Sequence, residues 1–219
     1  MKKAIALLVL AVLVSGCVSM TVNESGKSIS PVGKTYYTKI NIWYKYPDKI
    51  KSTNNIDGTF LSLGTKVKIV EFDGGKVKFI DTNREQFYTI IFVRKHTPMT
   101  SQELFDRYFS ENNIMDVNGE FNKFTSKEQE GIKKGRIFPG MSKKAVLMTL
   151  GYPPNHKTPN LQGNIWLYWG RRVVFLVYFR DDVVEKSDSE MRMSPFETRW
   201  QQHNESLTSD DATTGSSGI

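Results

Sequence analysis

From Thr35 the chain takes up a period of two, apolar residues alternating with polar ones in short runs separated by polar or glycine-bearing turns. A period of two puts successive side chains on opposite faces of a strand, so this stretch commits to sheet with one dry face. Tyr36, Thr38, Ile40, Ile42, Tyr44 and Tyr46 share one face, with Lys39, Asn41 and Lys45 opposite. Pro47 and Asp48 end that strand, and "NNIDG" marks a turn before Thr59 to Leu63. "TKVKIVEF" and "KVKFI" follow, separated by Asp73-Gly74-Gly75. Val67 and Ile69 then answer Val77 and Phe79 in a hairpin whose glycines accept the positive φ of a short turn. Gln86 to Val93, nearly continuous in apolar residues, supplies a further strand. Four or five short strands in about 60 residues predict a small barrel, because closure removes exposed edges.

The stretch "LSLGTKVKIV" resembles the strand entry of bacterial SH3-like domains, which implies an SH3-like β domain over residues 35–97. Pro98 ends it, and residues 98–125 read as a connecting helical segment. Thr100-Ser101-Gln102-Glu103 is a capping box, with Leu104, Phe105 and Tyr108 on one helical face. A second box, Thr125-Ser126-Lys127-Glu128, starts a short helix that ends at Gly135. Residues 110–124 between them show no clean period.

"GMSKKAVLMTLGYP", residues 140–153, specifies a helix at both ends. Ser142 caps its first turn, Val146, Leu147 and Leu150 form its apolar face, Gly151 supplies a left-handed exit and Pro153 forbids continuation. The strands "NIWLYW" and "VVFLVYF" follow, with a third at Val183-Val184 beyond Asp181-Asp182. Short helices before a three-stranded antiparallel meander predict a two-layer α+β sandwich.

Gly140, Met141, Ser142, Val146, Leu150, Gly151 and Pro153 match the pattern of the SmpA/OmlA (BamE-like) family of envelope lipoproteins, and Trp166 and Tyr168 match its later aromatic pair. The resemblance spans about residues 126–186, and it departs at Arg180-Asp181-Asp182-Val183, where the family usually carries a glycine. It implies a BamE-like domain over residues 126–187 and a partner among envelope proteins such as a β-barrel assembly complex. The expected fold is therefore α+β: a small SH3-like β-barrel domain followed by a BamE-like two-layer α/β sandwich, with short helices on a three-stranded antiparallel sheet.

The N-terminus carries its own chemistry. Lys2 and Lys3 precede an unbroken apolar run of 11 residues, Ala4 to Val14, and the small residues Ser15 and Gly16 precede Cys17, the sole cysteine. That order is a secretory signal over residues 1–16, too short for the ~20 residues of a spanning helix. Val14-Ser15-Gly16-Cys17 resembles the lipobox of bacterial lipoproteins, which implies that the Cys17 thiol is acylated and becomes the mature N-terminus on the lipid bilayer. Val18 differs from the Asp that retains lipoproteins on the inner membrane of enteric bacteria, which implies a periplasm-facing place on the outer membrane. Residues 17–34 read as a lipidated tether, up to roughly 55 Å long if fully extended. Residues 188–219 form a polar tail predicted to be largely disordered, with one helical island at Ser194-Pro195-Phe196-Glu197 that pairs Phe196 with Trp200.

Thirty Lys and Arg against 23 Asp and Glu give a formal charge of +7, with the signs interspersed and no basic stripe suited to a nucleic-acid backbone. His96, His156 and His203 stand far apart without acidic or cysteine neighbours at metal-ligand spacing. No nucleophile elbow, phosphate loop or dinucleotide fingerprint occurs, and the adjacent Asp181 and Asp182 diverge too much for paired acid–base work. The reading is a protein that binds rather than catalyses, without cofactor, metal or nucleic acid. "YPPNHKTPNLQGN", stiffened by Pro153, Pro154 and Pro159 and bearing Asn155 and His156, is either a rigid connection or the partner-binding surface, since stiffness lowers the entropy lost on docking. Two alternatives remain open: a secreted-enzyme inhibitor or ligand sensor, because the sandwich is similar to repeats of β-lactamase inhibitory proteins, and a cell-wall-binding module on the SH3-like strands.

Overall fold

The computed structural model describes residues 30–170 and 173–188. The signal, Cys17, the tether as far as residue 29 and the Phe196/Trp200 island lie outside the described residues. In chain order the strands are β1 (Thr35–Thr38), β2 (Ile42–Tyr44), β3 (Ile50–Lys51), β4 (Asn55–Ile56), β5 (Thr59–Leu61), β6 (Lys66–Phe72), β7 (Lys76–Asp81) and β8 (Gln86–Ile91). Helix α1 (Ser101–Tyr108), strand β9 (Phe109–Ser110) and helices α2 (Ser126–Lys134) and α3 (Lys143–Leu150) come next, then β10 (Ile165–Gly170), β11 (Val173–Arg180) and β12 (Val183–Ser187). No helix among the described residues is long and apolar enough to cross a membrane.

The protein is mostly β, with twelve strands in three sheets and three α-helices among the described residues. This overturns the expected α+β class, an SH3-like barrel followed by a BamE-like sandwich of helices on a three-stranded sheet. The first sheet has six strands in the order β3-β8-β7-β6-β1-β9 and takes β9 from beyond α1. The second has four, β12-β11-β10-β4, because β4 from the N-terminal region runs parallel to β10, pairing Asn55 with Trp169 and Ile56 with Gly170. A third sheet joins β2 to β5. With the sandwich goes the fold basis of the likeness to β-lactamase inhibitory proteins.

The physical reason lies at Asn41. The long alternating run is not one strand: Ile40, Asn41 and Ile42 are buried in succession, so the period of two fails there. The Asn41 side chain donates to the carbonyls of Ile132 at 2.7 Å and Thr149 at 3.3 Å and accepts from the Leu63 amide at 3.0 Å. Its own amide donates to Met148 at 2.9 Å. Helices α2 and α3 are thus stitched to the bend between β1 and β2.

Two cores result. The first lies between the six-stranded sheet and α1, with Val67, Ile69, Phe79 and Ile90 facing Leu104 and Phe105. The second gathers Ile132 of α2, Val146 and Leu150 of α3, and Trp166, Tyr168 and Val177 of the four-stranded sheet, and includes Leu63 from the N-terminal region. A bulge between Ile69 and Glu71 shifts the β6–β7 register, a device that increases local twist.

Helix ends follow local rules. Thr100 and Thr125 form both capping boxes, and the Ser142 hydroxyl accepts from the Ala145 amide. Glu128 also reaches across to α3: one carboxylate oxygen accepts from the Ser142 amide at 2.9 Å and hydroxyl at 2.6 Å, while the other accepts from the Thr125 amide and hydroxyl. One buried carboxylate therefore anchors two helix starts. At the β6–β7 turn, Gly74 and Gly75 do not adopt positive φ. Asp73 makes that turn instead, its carboxylate accepting from the Gly75 and Lys76 amides at 2.7 and 2.9 Å. The β11–β12 turn places Asp181 and Asp182 at φ 51° and 61°, the left-handed pair of a tight hairpin, without the family's glycine.

Candidate functional site

The segment from α3 to β10 is tied to the molecule along its length. It leaves the helix at Gly151, whose φ of 78° is a backbone conformation that side-chain-bearing residues rarely adopt. Asn54, itself at φ 50°, donates its side-chain amide to the carbonyls on either side of that glycine, Leu150 at 2.7 Å and Tyr152 at 2.9 Å. A Cβ on Gly151 would sit 2.8 Å from the same amide nitrogen. Tyr168, fully buried, donates its hydroxyl to the Gly151 carbonyl at 2.9 Å, and burial holds its pKa well above the usual phenol value. It is a permanent donor.

Beyond the exit, Pro153 and Pro154 are buried, and the Lys157 and Thr158 amides both donate to the Pro154 carbonyl at 2.9 Å. The buried Thr158 hydroxyl accepts from the Leu167 amide at 2.9 Å, which returns the segment to β10. On the other flank, Arg107 of α1 lies over the Tyr152 ring, 4.3 Å from its centroid, and donates to Asn155 Oδ1 at 2.9 Å. Burial lowers the Arg107 pKa, opposed by Tyr152, Tyr108 and Glu103.

His156 emerges from this frame onto His96, with ring centroids 4.3 Å apart and planes 34° apart. Trp169 of β10 meets His156 edge-on at 5.0 Å and His96 at 6.4 Å. Desolvation in this stack, reinforced by His96 and Lys157, holds the His156 pKa below the ordinary imidazole value. The result is a fixed patch of two imidazoles and a half-buried indole, and Lys157, Pro159 and Asn160, next along the chain, are exposed. Such a patch offers flat apolar area at little conformational-entropy cost together with ring N–H donors.

The sequence-proposed residues thus divide. Pro153 and Pro154 are internal, Asn155 is half-buried and engaged by Arg107, and His156 and Pro159 face outward. The partners of His156 were not legible: His96 sits in a short 3₁₀ turn, Arg94–His96, after β8, and nothing in the intervening sequence couples it to residue 156. Trp169 falls at the opposite parity to Trp166 and Tyr168 on β10, and that alternation was the available signal. Among the described residues, no group of three or more His, Cys, Asp or Glu side chains is arranged to hold a metal ion. Comparison with known proteins finds no matching family model, no similar curated protein and no similar solved structure.

Proposed function

We propose that this chain is a lipid-anchored envelope protein that acts by binding other proteins, in outer-membrane protein assembly or envelope maintenance, rather than by catalysis. The observation that carries the reading is Val14-Ser15-Gly16-Cys17, placed directly after a basic start and an apolar run. The sulfur of Cys17 is the acyl acceptor in this reading, and several acyl chains hold a protein on a bilayer far longer than one does. The Val18 that follows favours delivery to the outer membrane, facing the periplasm. The family resemblance enters through the residues of 140–153 together with Trp166 and Tyr168, and not through the fold.

The patch around His156 and Trp169 supports protein binding, because it is held before any partner arrives. Arg107, Asn54 and Thr158 bear the cost of ordering the segment within the fold, so little remains to be lost on docking. Two measurements test the reading. Cys17→Ser should abolish fatty-acid labelling and leave an unprocessed precursor, and continued labelling would overturn the anchor. Cross-linking from position 159 in intact envelopes should capture a discrete envelope protein, and this product should disappear in His156→Asp.

A further inference from the structure

The six-stranded sheet has a second face, turned away from its core. Two Lys-Val-Lys runs, 66–68 in β6 and 76–78 in β7, lie on neighbouring antiparallel strands. Alternation buries both valines and turns Lys66, Lys68, Lys76 and Lys78 to the same outer face. Lys51 of β3, paired with Ile91 of β8, adds a fifth cation at the sheet edge. Among the strand positions of this face the acidic residue is Glu71, which Lys76 holds at 2.9 Å.

Large apolar side chains stand among these lysines. Phe87 is 47% exposed, Val70 42% and Ile91 39%, on a sheet whose opposite face supplies the first core. The Lys78 ammonium sits 5.2 Å over the Phe87 ring. A surface for solvent alone would carry charges of both signs and few exposed rings. Lysines interleaved with an aromatic and branched aliphatics suit a plane that is anionic at its surface and apolar just beneath.

We propose that this face rests on an anionic lipid surface and sets the orientation of the anchored protein. The inference builds on the lipid anchor proposed above. The chain arriving from Cys17 enters this very sheet: the Gly33 amide donates to Ile69 at 2.8 Å, and Thr35 pairs with Lys68. The tether therefore joins the folded protein at the lysine-bearing sheet, which keeps that sheet within reach of the membrane to which Cys17 would be attached. Acyl chains fix residence, whereas the face fixes which side of the molecule looks outward. Each lysine within a Debye length of an anionic surface adds attraction that salt removes.

The test reconstitutes the full lipidated chain into pure phosphatidylcholine vesicles and into vesicles of equal phosphatidylcholine and phosphatidylglycerol. A water-soluble acetylating reagent then reports each lysine by mass spectrometry. Lys51, Lys66, Lys68 and Lys78 should react several-fold more slowly on the anionic vesicles and recover in high salt, while Lys123 and Lys127 near the start of α2 stay unchanged. Replacing Lys66, Lys68 and Lys78 by Glu should keep the protein vesicle-bound and abolish the protection of Lys51. Equal reaction on both vesicles would overturn the proposal and leave the face to an acidic protein. Flotation with phosphatidylcholine alone reads the anchor separately. A chain that floats there without lysine protection keeps the anchor and loses the face; one that fails to float yet is protected on anionic vesicles does the reverse.

Discussion

Asn41 donates its side-chain amide to the carbonyl of Ile132 at 2.7 Å, joining the first bend of the chain to the last turn of α2. The same side chain accepts from Leu63 and reaches Thr149, and it is almost fully buried. Asn41→Leu keeps the branched shape but strands the Leu63 amide and the carbonyls of Ile132 and Thr149. Each such orphan costs about 1–3 kcal/mol. Urea unfolding should show a loss of about 3 kcal/mol or more; a change below about 1 kcal/mol would mean that the network is dispensable.

Glu128 predicts an acid-sensitive fold. Burial raises its pKa, but the hydrogen bonds from Ser142 and Thr125 outweigh burial, so the carboxyl lies below its ordinary 4.5. A lowered folded pKa contributes stability that is complete above the unfolded value and is lost as pH falls through the folded one. The urea midpoint should therefore decline on acidification below 4.5, and Glu128→Gln should be weaker near neutrality and flatter in that range. A parallel decline in the variant would assign the acid sensitivity to other carboxylates.

Gly151→Val combines positive φ with the approach of Asn54. The strained backbone alone costs ~1 kcal/mol, and the 2.8 Å contact with the Asn54 amide forces that side chain off its two carbonyls. The melting temperature should drop clearly. Gly140→Ala, where φ is 88° but nothing crowds a Cβ, should cost less. Equal losses would show that backbone strain dominates.

His156→Ala should cost less than about 1 kcal/mol, because the ring is exposed and its contacts are stacking ones. Its lowered pKa gives stability that is complete above the ordinary 6.5 and declines as pH falls through 6.5 toward the folded value, since the unfolded chain takes up the proton first. Wild type should lose a little stability across that window, and His156→Gln should not. Replacing residues 154–160 by Gly and Ser removes the buried Pro154 and Thr158 and should destabilise the fold far more than His156→Ala.

What the sequence made legible was local. Capping boxes at Thr100 and Thr125 and the ends of α3 are written within a few residues, and the β6–β7 hairpin joins neighbours. What stayed hidden was remote or very short. β3, β4 and β9 have two residues each, too few for any period, yet they attach at the edges of two sheets. Asn41 read as an outward polar residue beside Lys39, because only its distant carbonyl partners make burial tolerable. At the site, the stiff loop and His156 could be read directly, whereas the stack with His96 required the fold. The lysine face escaped notice because its charges are spread over several strands and gather only when β6 and β7 pair.

The parallel pairing of β4 with β10 also bears on how such a chain can be made and altered. Asn55 and Ile56 leave the ribosome long before Trp169 and Gly170, so the edge they complete must wait through most of synthesis. Neither half is a cassette that recombination could lift out whole: a cut after residue 97 would strip β9 from the first sheet and β4 from the second. Such a protein changes by substitution within its frame, not by exchange of parts.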